Sequence, residues 1–199
     1  MKHDALIRAV VPFLAAVLVC VSAVSGAETE FEEYIYDPGV LPAIDSELKV
    51  AVGDEAPDFT LPSIAGEDVT LSDHRGKHNV VLSFVPAAWT PVCSDQWPGY
   101  VIADELFHEH NTTLIGITVD NIPTLSAWTR EMGEVWFEVV SDFWPHGGVA
   151  ETYGVLRTDG TSERALFLID TEGIIRYIDV HDINERPDLG DLAEAMEAL

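Results

Sequence analysis

From residue 79 onward the chain alternates two kinds of apolar pattern. Uninterrupted, β-branched runs at residues 80–85, 114–119, 135–140, 165–169 and 174–180 read as strands, and the most continuous of them as strands buried on both faces. Between them, apolar residues recur every three or four positions. Val101, Ile102, Leu106 and Phe107 do so within 99–110, and Leu125, Trp128 and Met132 within 123–132. Leu189, Leu192, Ala193, Met196 and Leu199 do so within 187–199. These spacings predict three helices, the second ended by Gly133, and a short fourth one is expected over Gly148–Tyr153, closed by Gly154. Upstream, residues 59–61 and 69–71 flank a turn-rich insert and suggest an antiparallel pair, with a polar connection over 72–77. Residues 170–173 join the last two strands as a hairpin turn. Strands and helices in this alternation predict an α/β sandwich with a mixed central β-sheet flanked by helices.

One stretch organises the rest: residues 79–98, N-V-V-L-S-F-V-P-A-A-W-T-P-V-C-S-D-Q-W-P. Its buried strand stops at Pro86, which cannot donate to a ladder and restricts the residue before it. Seven residues later stands Cys93, the only cysteine outside the N-terminal apolar leader. The pattern puts it at or near the first turn of a helix that follows a central strand. There a thiol meets unpaired backbone N–H groups and the positive end of the helix dipole, which favour thiolate, the nucleophilic form. A lone cysteine is more often a small buried hydrophobe, so its surroundings have to decide.

Composition changes the picture at the N-terminus. With 199 residues, 47% of them hydrophobic, the chain holds one domain with a full core. Residues 1–27 form a separate block: Lys2 and Arg8, an apolar run from 9 to 24, then Ser25, Gly26 and Ala27 before Glu28. This reads as a secretory signal peptide or, if uncleaved, a membrane anchor at the short end of spanning length, and it predicts an exported protein. Residues 28–49 are acidic, carry Pro38, Gly39 and Pro42 and show no period, as a linker or surface-packed arm would; the domain is expected over 50–199.

The formal charge is −25, with lysine only at 2, 49 and 77. Such a surface repels nucleic acid and anionic lipid, so nucleic acid is excluded as a partner. Self-repulsion of this size costs stability unless salt screens it, so a protein working in high salt is expected, against the plainer reading of an acidic exported protein. Loss of the fold on dialysis into low salt supports the first; equal stability in low and molar salt supports the second.

The spacing Pro86-x-x-x-Thr90-x-x-Cys93 resembles the P-x-x-x-T-x-x-C loop of the peroxiredoxins, thiol peroxidases of the thioredoxin superfamily. Residues 52–61 (V-G-D-E-A-P-D-F-T-L), 141–145 (S-D-F-W-P) and 164–170 (R-A-L-F-L-I-D) resemble other signatures of that family, in the right order. The resemblance, closest in type to one-cysteine and bacterioferritin-comigratory-protein-like members, implies a thioredoxin-like fold with order β-α-β-α-β-β-α. It implies reduction of hydrogen peroxide or organic hydroperoxides, no cofactor, and frequent homodimers. Peroxide reduction needs a thiolate, donors aligned on both peroxide oxygens and exclusion of bulk water. Cys93 supplies the sulfur and a backbone donor. Thr90, one turn earlier, can place its hydroxyl beside that sulfur. Pro86 can wall the pocket without adding an N–H. Arg164 offers a permanent cation with several donors. Spacing makes Thr90 and Cys93 neighbours, whereas only the resemblance places Arg164 beside them. The sulfur is expected to be ionised and open to an incoming oxidant.

Trp89 and Trp97 flank the thiol as gate, core or interface aromatics, and Gln96 carries no assigned role. His108 and His110 lie two apart on a helix, facing different ways, and His146 reads as a turn residue, so no metal site is expected. The sequence 89–93, W-T-P-V-C, mimics the W-C-x-x-C spacing of disulfide reductases with Thr90 in place of the first cysteine. One mature thiol cannot run intramolecular dithiol–disulfide exchange, and no second one can resolve a sulfenic acid. A one-cysteine cycle restored by an external thiol or thioredoxin-like reductant follows. The competing readings are a thioredoxin-fold binding module with an inert cysteine and a partner of a membrane redox system.

Overall fold

The computed structural model describes residues 31–199. Asp37–Leu199 form one compact unit. Of the preceding unit, Met1–Tyr36, residues 31–33 make one helical turn, and the leader expected over 1–27 lies outside the described residues. Among the described residues no helix is long and apolar enough to cross a membrane.

The elements run β1 (Thr60–Pro62), β2 (Asp68–Thr70), a 3-10 turn (Leu71–His74), β3 (Asn79–Phe84), α1 (Pro91–Ile102), α2 (Asp104–Glu109), β4 (Thr112–Thr118), α3 (Ile122–Met132), β5 (Glu138–Ser141), α4 (Gly148–Tyr153), β6 (Arg164–Ile169), β7 (Ile175–His181) and α5 (Leu189–Glu197). β1 and β2 pair antiparallel, and the other five strands form one sheet in the order β5-β4-β3-β6-β7. β3, β4 and β5 are mutually parallel, while β6 runs antiparallel to β3 and β7 antiparallel to β6. The sheet is therefore mixed, with β3 at its centre. Relative to the expected thioredoxin-like order, the additions are the β1–β2 pair ahead of β3, the division of the first helix into α1 and α2, and β5 with α4 inserted before β6.

β3 and β4 are buried at almost every position because both their faces are covered. On one face, Leu82, Phe84, Ile115, Ile117 and Phe167 pack with Phe59, Leu61 and Tyr153. On the other, Ser83 lies opposite Gly116, and the indole of Trp97 on α1 sits over that pair. A Cβ at Gly116 would stand 2.6 Å from that ring, so only glycine lets α1 approach so closely. Trp97 stacks on Trp128 of α3 at 4.7 Å between ring centroids, which ties both helices to one face.

Several boundaries differ from the sequence pattern. The first long helix starts at Pro91 rather than after Pro98, and it breaks at Ala103 into α1 and α2. Pro91 suits the first helical turn, whereas Pro98 sits inside the helix, where the burial of Gln96 and Trp97 beside it outweighs the missing N–H. β5 begins only at Glu138, because Trp136 and Phe137 turn toward the helices instead of a ladder. Trp136 Nε1 donates to the Tyr100 carbonyl (3.0 Å), and Phe137 meets Trp97 edge to face. α5 begins at Leu189, with the Asp188 carboxylate accepting the Gly190 N–H (2.7 Å), so Pro187 precedes the cap. Gly154 ends α4 at φ 78° in the left-handed region; a Cβ there would stand 2.3 Å from the Glu47 carbonyl oxygen of the preceding arm.

Candidate active site

β3 runs on one residue beyond its last ladder position, as the Val85 N–H donates to the Ile117 carbonyl (3.0 Å). Pro86 is buried and opens the loop. The loop is held at two further points. The Ala88 N–H donates to the Asp120 carboxylate (2.8 Å), and the Thr90 hydroxyl donates to the Ala87 carbonyl (2.8 Å). Trp89 adopts a left-handed conformation, φ 62°, which turns the chain into α1. Thr90 occupies the cap position, but its side chain bonds backward into the loop rather than capping the helix, and the Ser94 N–H donates to its carbonyl (2.9 Å).

Cys93 is then the third residue of α1, in the turn whose N–H groups have no partner within the helix. Its side chain points inward, and the residue is fully buried. The expected exclusion of bulk water is met, but the expected opening to an incoming oxidant is not: the sulfur is closed off in this conformation. α1 is clamped to the sheet through Gln96 and Trp97, and that clamp turns the same face of the first turn toward the protein interior.

Topology brings Arg164 to this sulfur across 71 positions of sequence. β6 is antiparallel to β3, with Phe84 paired to Ala165, so the start of β6 abuts the end of β3, where the loop begins. The Ser162 hydroxyl closes that corner by donating to the Val85 carbonyl (2.9 Å). Arg164 Nη2 lies 3.6 Å from Cys93 Sγ. Its Nη1 donates to Gln96 Oε1 (2.5 Å), and Nε and Nη2 both donate to the Ile183 carbonyl (3.2 and 3.0 Å).

Arg164 is only 2% exposed, and among the described residues no carboxylate forms an ion pair with it. A buried guanidinium without a carboxylate is costly unless another anion faces it. Asp182 feels its charge only secondarily: hydrogen bonds from Asn184 are what chiefly hold that carboxyl below the usual range. The group in direct contact with the cation and able to carry negative charge is the Cys93 sulfur.

Gln96 is the functional residue that sequence reading missed. It is fully buried, accepts from Arg164 and donates to the Tyr100 hydroxyl (2.9 Å) and the Ser83 hydroxyl (3.4 Å). Burial pushes the Tyr100 phenol up to about 12, so this oxygen stays protonated at neutral pH. The available clue was the i,i+4 spacing of Gln96 and Tyr100, which stacks two polar groups on the same helix face as the thiol's neighbour Trp97. Trp97 is core, while Trp89 is half-buried in the loop. Among the described residues no group of three or more His, Cys, Asp or Glu side chains could hold a metal ion. His146 is an exposed turn residue at φ 52°.

A buried thiol in contact with a guanidinium that has no carboxylate, following a loop whose Thr90 hydroxyl is turned to the Ala87 carbonyl, forms a site for displacement at an electron-poor atom. Comparison with known proteins agrees. The AhpC/TSA family profile matches residues 52–178. Alkyl hydroperoxide reductase E of Mycobacterium tuberculosis is 36% identical over 151 residues, covering 74% of this chain and 97% of that protein. The chloroplastic 2-cysteine peroxiredoxin of Chattonella marina var. antiqua is 31% identical over 161 residues, 76% of this chain and 82% of that one. Among solved structures, reduced 2-Cys peroxiredoxin of Plasmodium vivax superposes with a TM-score of 0.70 at 29% identity, covering 75% of this chain and 81% of that one. Peroxidoxin BcpB of M. tuberculosis superposes with a TM-score of 0.65 at 26% identity, covering 74% and 97%. The chain therefore belongs to the AhpC/TSA family: it is a peroxiredoxin, a thiol-dependent peroxidase on a thioredoxin-like fold.

Proposed function

We propose that this chain is an exported one-cysteine peroxiredoxin in which Cys93 reduces hydrogen peroxide or an organic hydroperoxide and an external thiol restores it. The observation that carries the reading is the Arg164 guanidinium, buried without a carboxylate, 3.6 Å from the sulfur. The Cys93 thiolate attacks the terminal oxygen of R–O–O–H; the S–O bond forms as the O–O bond breaks, and RO⁻ leaves and takes a proton. Sulfur ends as sulfenic acid. Charge moves from sulfur to the departing oxygen, and Arg164 Nη2 can follow it because its donors already point into the site. The Thr90 hydroxyl spends its proton on the Ala87 carbonyl, which leaves its lone pairs to accept from the peroxide O–H. Pro86 closes the wall without a competing donor. An external thiol or thioredoxin-like protein then condenses with the sulfenic acid, releasing water, and a second thiol frees Cys93 from the mixed disulfide. Export rests on the leader at 1–27 and on the single thiol that its removal leaves.

The test is mass spectrometry of the native protein before and after one equivalent of peroxide. A gain of one oxygen at Cys93, reversed by thiol, is expected, and the starting mass reports whether residues 1–27 are present. No oxygen uptake at Cys93 sinks the reading. The full burial of Cys93 is what favours the alternative, a binding module or redox partner without peroxidase turnover; alkylation no faster than that of a free model thiol would support it.

Gln96→Glu tests the charge argument. A carboxylate bonded to Arg164 neutralises the cation and repels the anionic sulfur, so peroxide consumption at neutral pH falls about tenfold, while the bond from Arg164 is kept and the Tyr100 and Ser83 hydroxyls turn to donate where the Gln96 amide donated to them. An unchanged rate in stopped-flow assays would show that the uncompensated guanidinium charge is not what the chemistry uses.

A further inference from the structure

The carbonyl that aims Arg164 belongs to Ile183, two residues past the end of β7, in a turn outside the sheet ladder. What fastens that turn is the arm at 41–45, near the N-terminal edge of the same compact unit. The Ile183 N–H donates to the Ala43 carbonyl (3.2 Å). The Asn184 side chain clasps Leu41 from both sides: its Oδ1 accepts the Leu41 N–H and its Nδ2 donates to the Leu41 carbonyl, each at 2.9 Å. The same arm grips the other flank of Arg164. Glu163, the preceding residue, accepts the Asp45 N–H (2.6 Å) on one oxygen and pairs with Arg157 Nη1 (2.5 Å) on the other. Arg157 Nη2 donates to the Pro42 carbonyl (2.9 Å). Arg157 and Glu163 are 4% and 0% exposed, so the ion pair needs those arm groups to complete its hydrogen bonding.

We propose that residues 41–45 are a positioning element of the peroxidatic site: the arm fixes both the carbonyl that Arg164 donates to and the residue before it, and so sets where the guanidinium meets Cys93. The family profile begins at residue 52, so this support lies upstream of the shared fold. The inference rests on the reading of Cys93 and Arg164 given above.

The test cuts the clasp from each side without touching Cys93, Arg164 or Gln96. Asn184→Ala removes the side chain, and Leu41→Pro removes the N–H it accepts. Each variant and the parent are assayed for peroxide consumption and for alkylation of Cys93 by iodoacetate and by iodoacetamide. The two reagents are of similar size, but only the first is anionic, so their rate ratio reads the positive charge beside the sulfur and not its general accessibility. A displaced Arg164 lowers the iodoacetate-to-iodoacetamide ratio about fivefold and peroxide consumption about tenfold. A ratio unchanged in both variants, even with a lower melting temperature, overturns the proposal and leaves the arm as packing alone. Should either variant not fold, amide hydrogen exchange in the parent decides. The Ile183 and Asp45 N–H groups are expected to be strongly protected, and exchange as fast as in an unstructured peptide overturns the proposal. If the parent itself consumes no peroxide, the functional reading fails instead, and the two failures are distinct.

Discussion

Cys93→Ser abolishes thiol-dependent peroxide consumption, a loss of at least about 10⁴-fold, the scale seen when an enzyme loses its covalent nucleophile. The reason is chemical more than geometric. Serine is nearly the same size and keeps the α1 backbone and its N–H in place. Its hydroxyl, however, is hardly ionised at neutral pH, and oxygen has no counterpart of the thiol-to-sulfenic-acid oxidation that takes up the peroxide oxygen. No other cysteine among the described residues can substitute. Cys20, in the apolar stretch at 9–24, is the remaining thiol of the sequence, so Cys20→Ser in parallel shows whether any residual turnover belongs to it. The measurement is peroxide loss with a small thiol as reductant, alongside circular dichroism to confirm the fold. Full activity in Cys93→Ser would remove the basis for assigning the chemistry to this loop.

Local patterns were the legible part of this chain. The hairpin at 170–173, the short α4 and the glycines ending α3 and α4 follow from residues a few positions apart, and the structure has them where the pattern put them. The start of α1 was obscured by Pro98, a helix breaker by local rules that tertiary packing overrides here. The inward orientation of Cys93 was not legible either, since it depends on how Trp97 seats against Gly116 across the sheet. The meeting of Arg164 with the sulfur is a product of strand order, which periodicity does not encode; only the family motif anticipated it. The arm at 41–45 left no pattern, because its bonds run mostly from main-chain groups to side chains far along the chain, and such bonds impose no repeat. Gln96 was hidden for the opposite reason: a buried amide inside an apolar helix face looks like an interruption until its partner is seen.

Arg164→Met separates catalysis from stability. The substitution removes the Nη2 donor and the charge facing Cys93, and the loss of one pre-aimed donor to a developing oxyanion typically lowers the rate about 10²–10³-fold. The fold suffers less than burial suggests, because two effects oppose each other. Gln96 Oε1 and the Ile183 carbonyl lose their donors, costing about 1–3 kcal/mol for each group left unsatisfied. Against this, a cation that was desolvated without a carboxylate partner is no longer buried, and its penalty disappears. The expected result is a loss of kcat/KM for peroxide far larger than the change in melting temperature would account for. Arg164→Lys keeps the charge but not the planar fork that spans Ile183, Gln96 and the sulfur at once, so its rate falls between the two. A Met variant within twofold of the parent would show that the guanidinium holds the β6 corner together and takes no part in moving charge off sulfur.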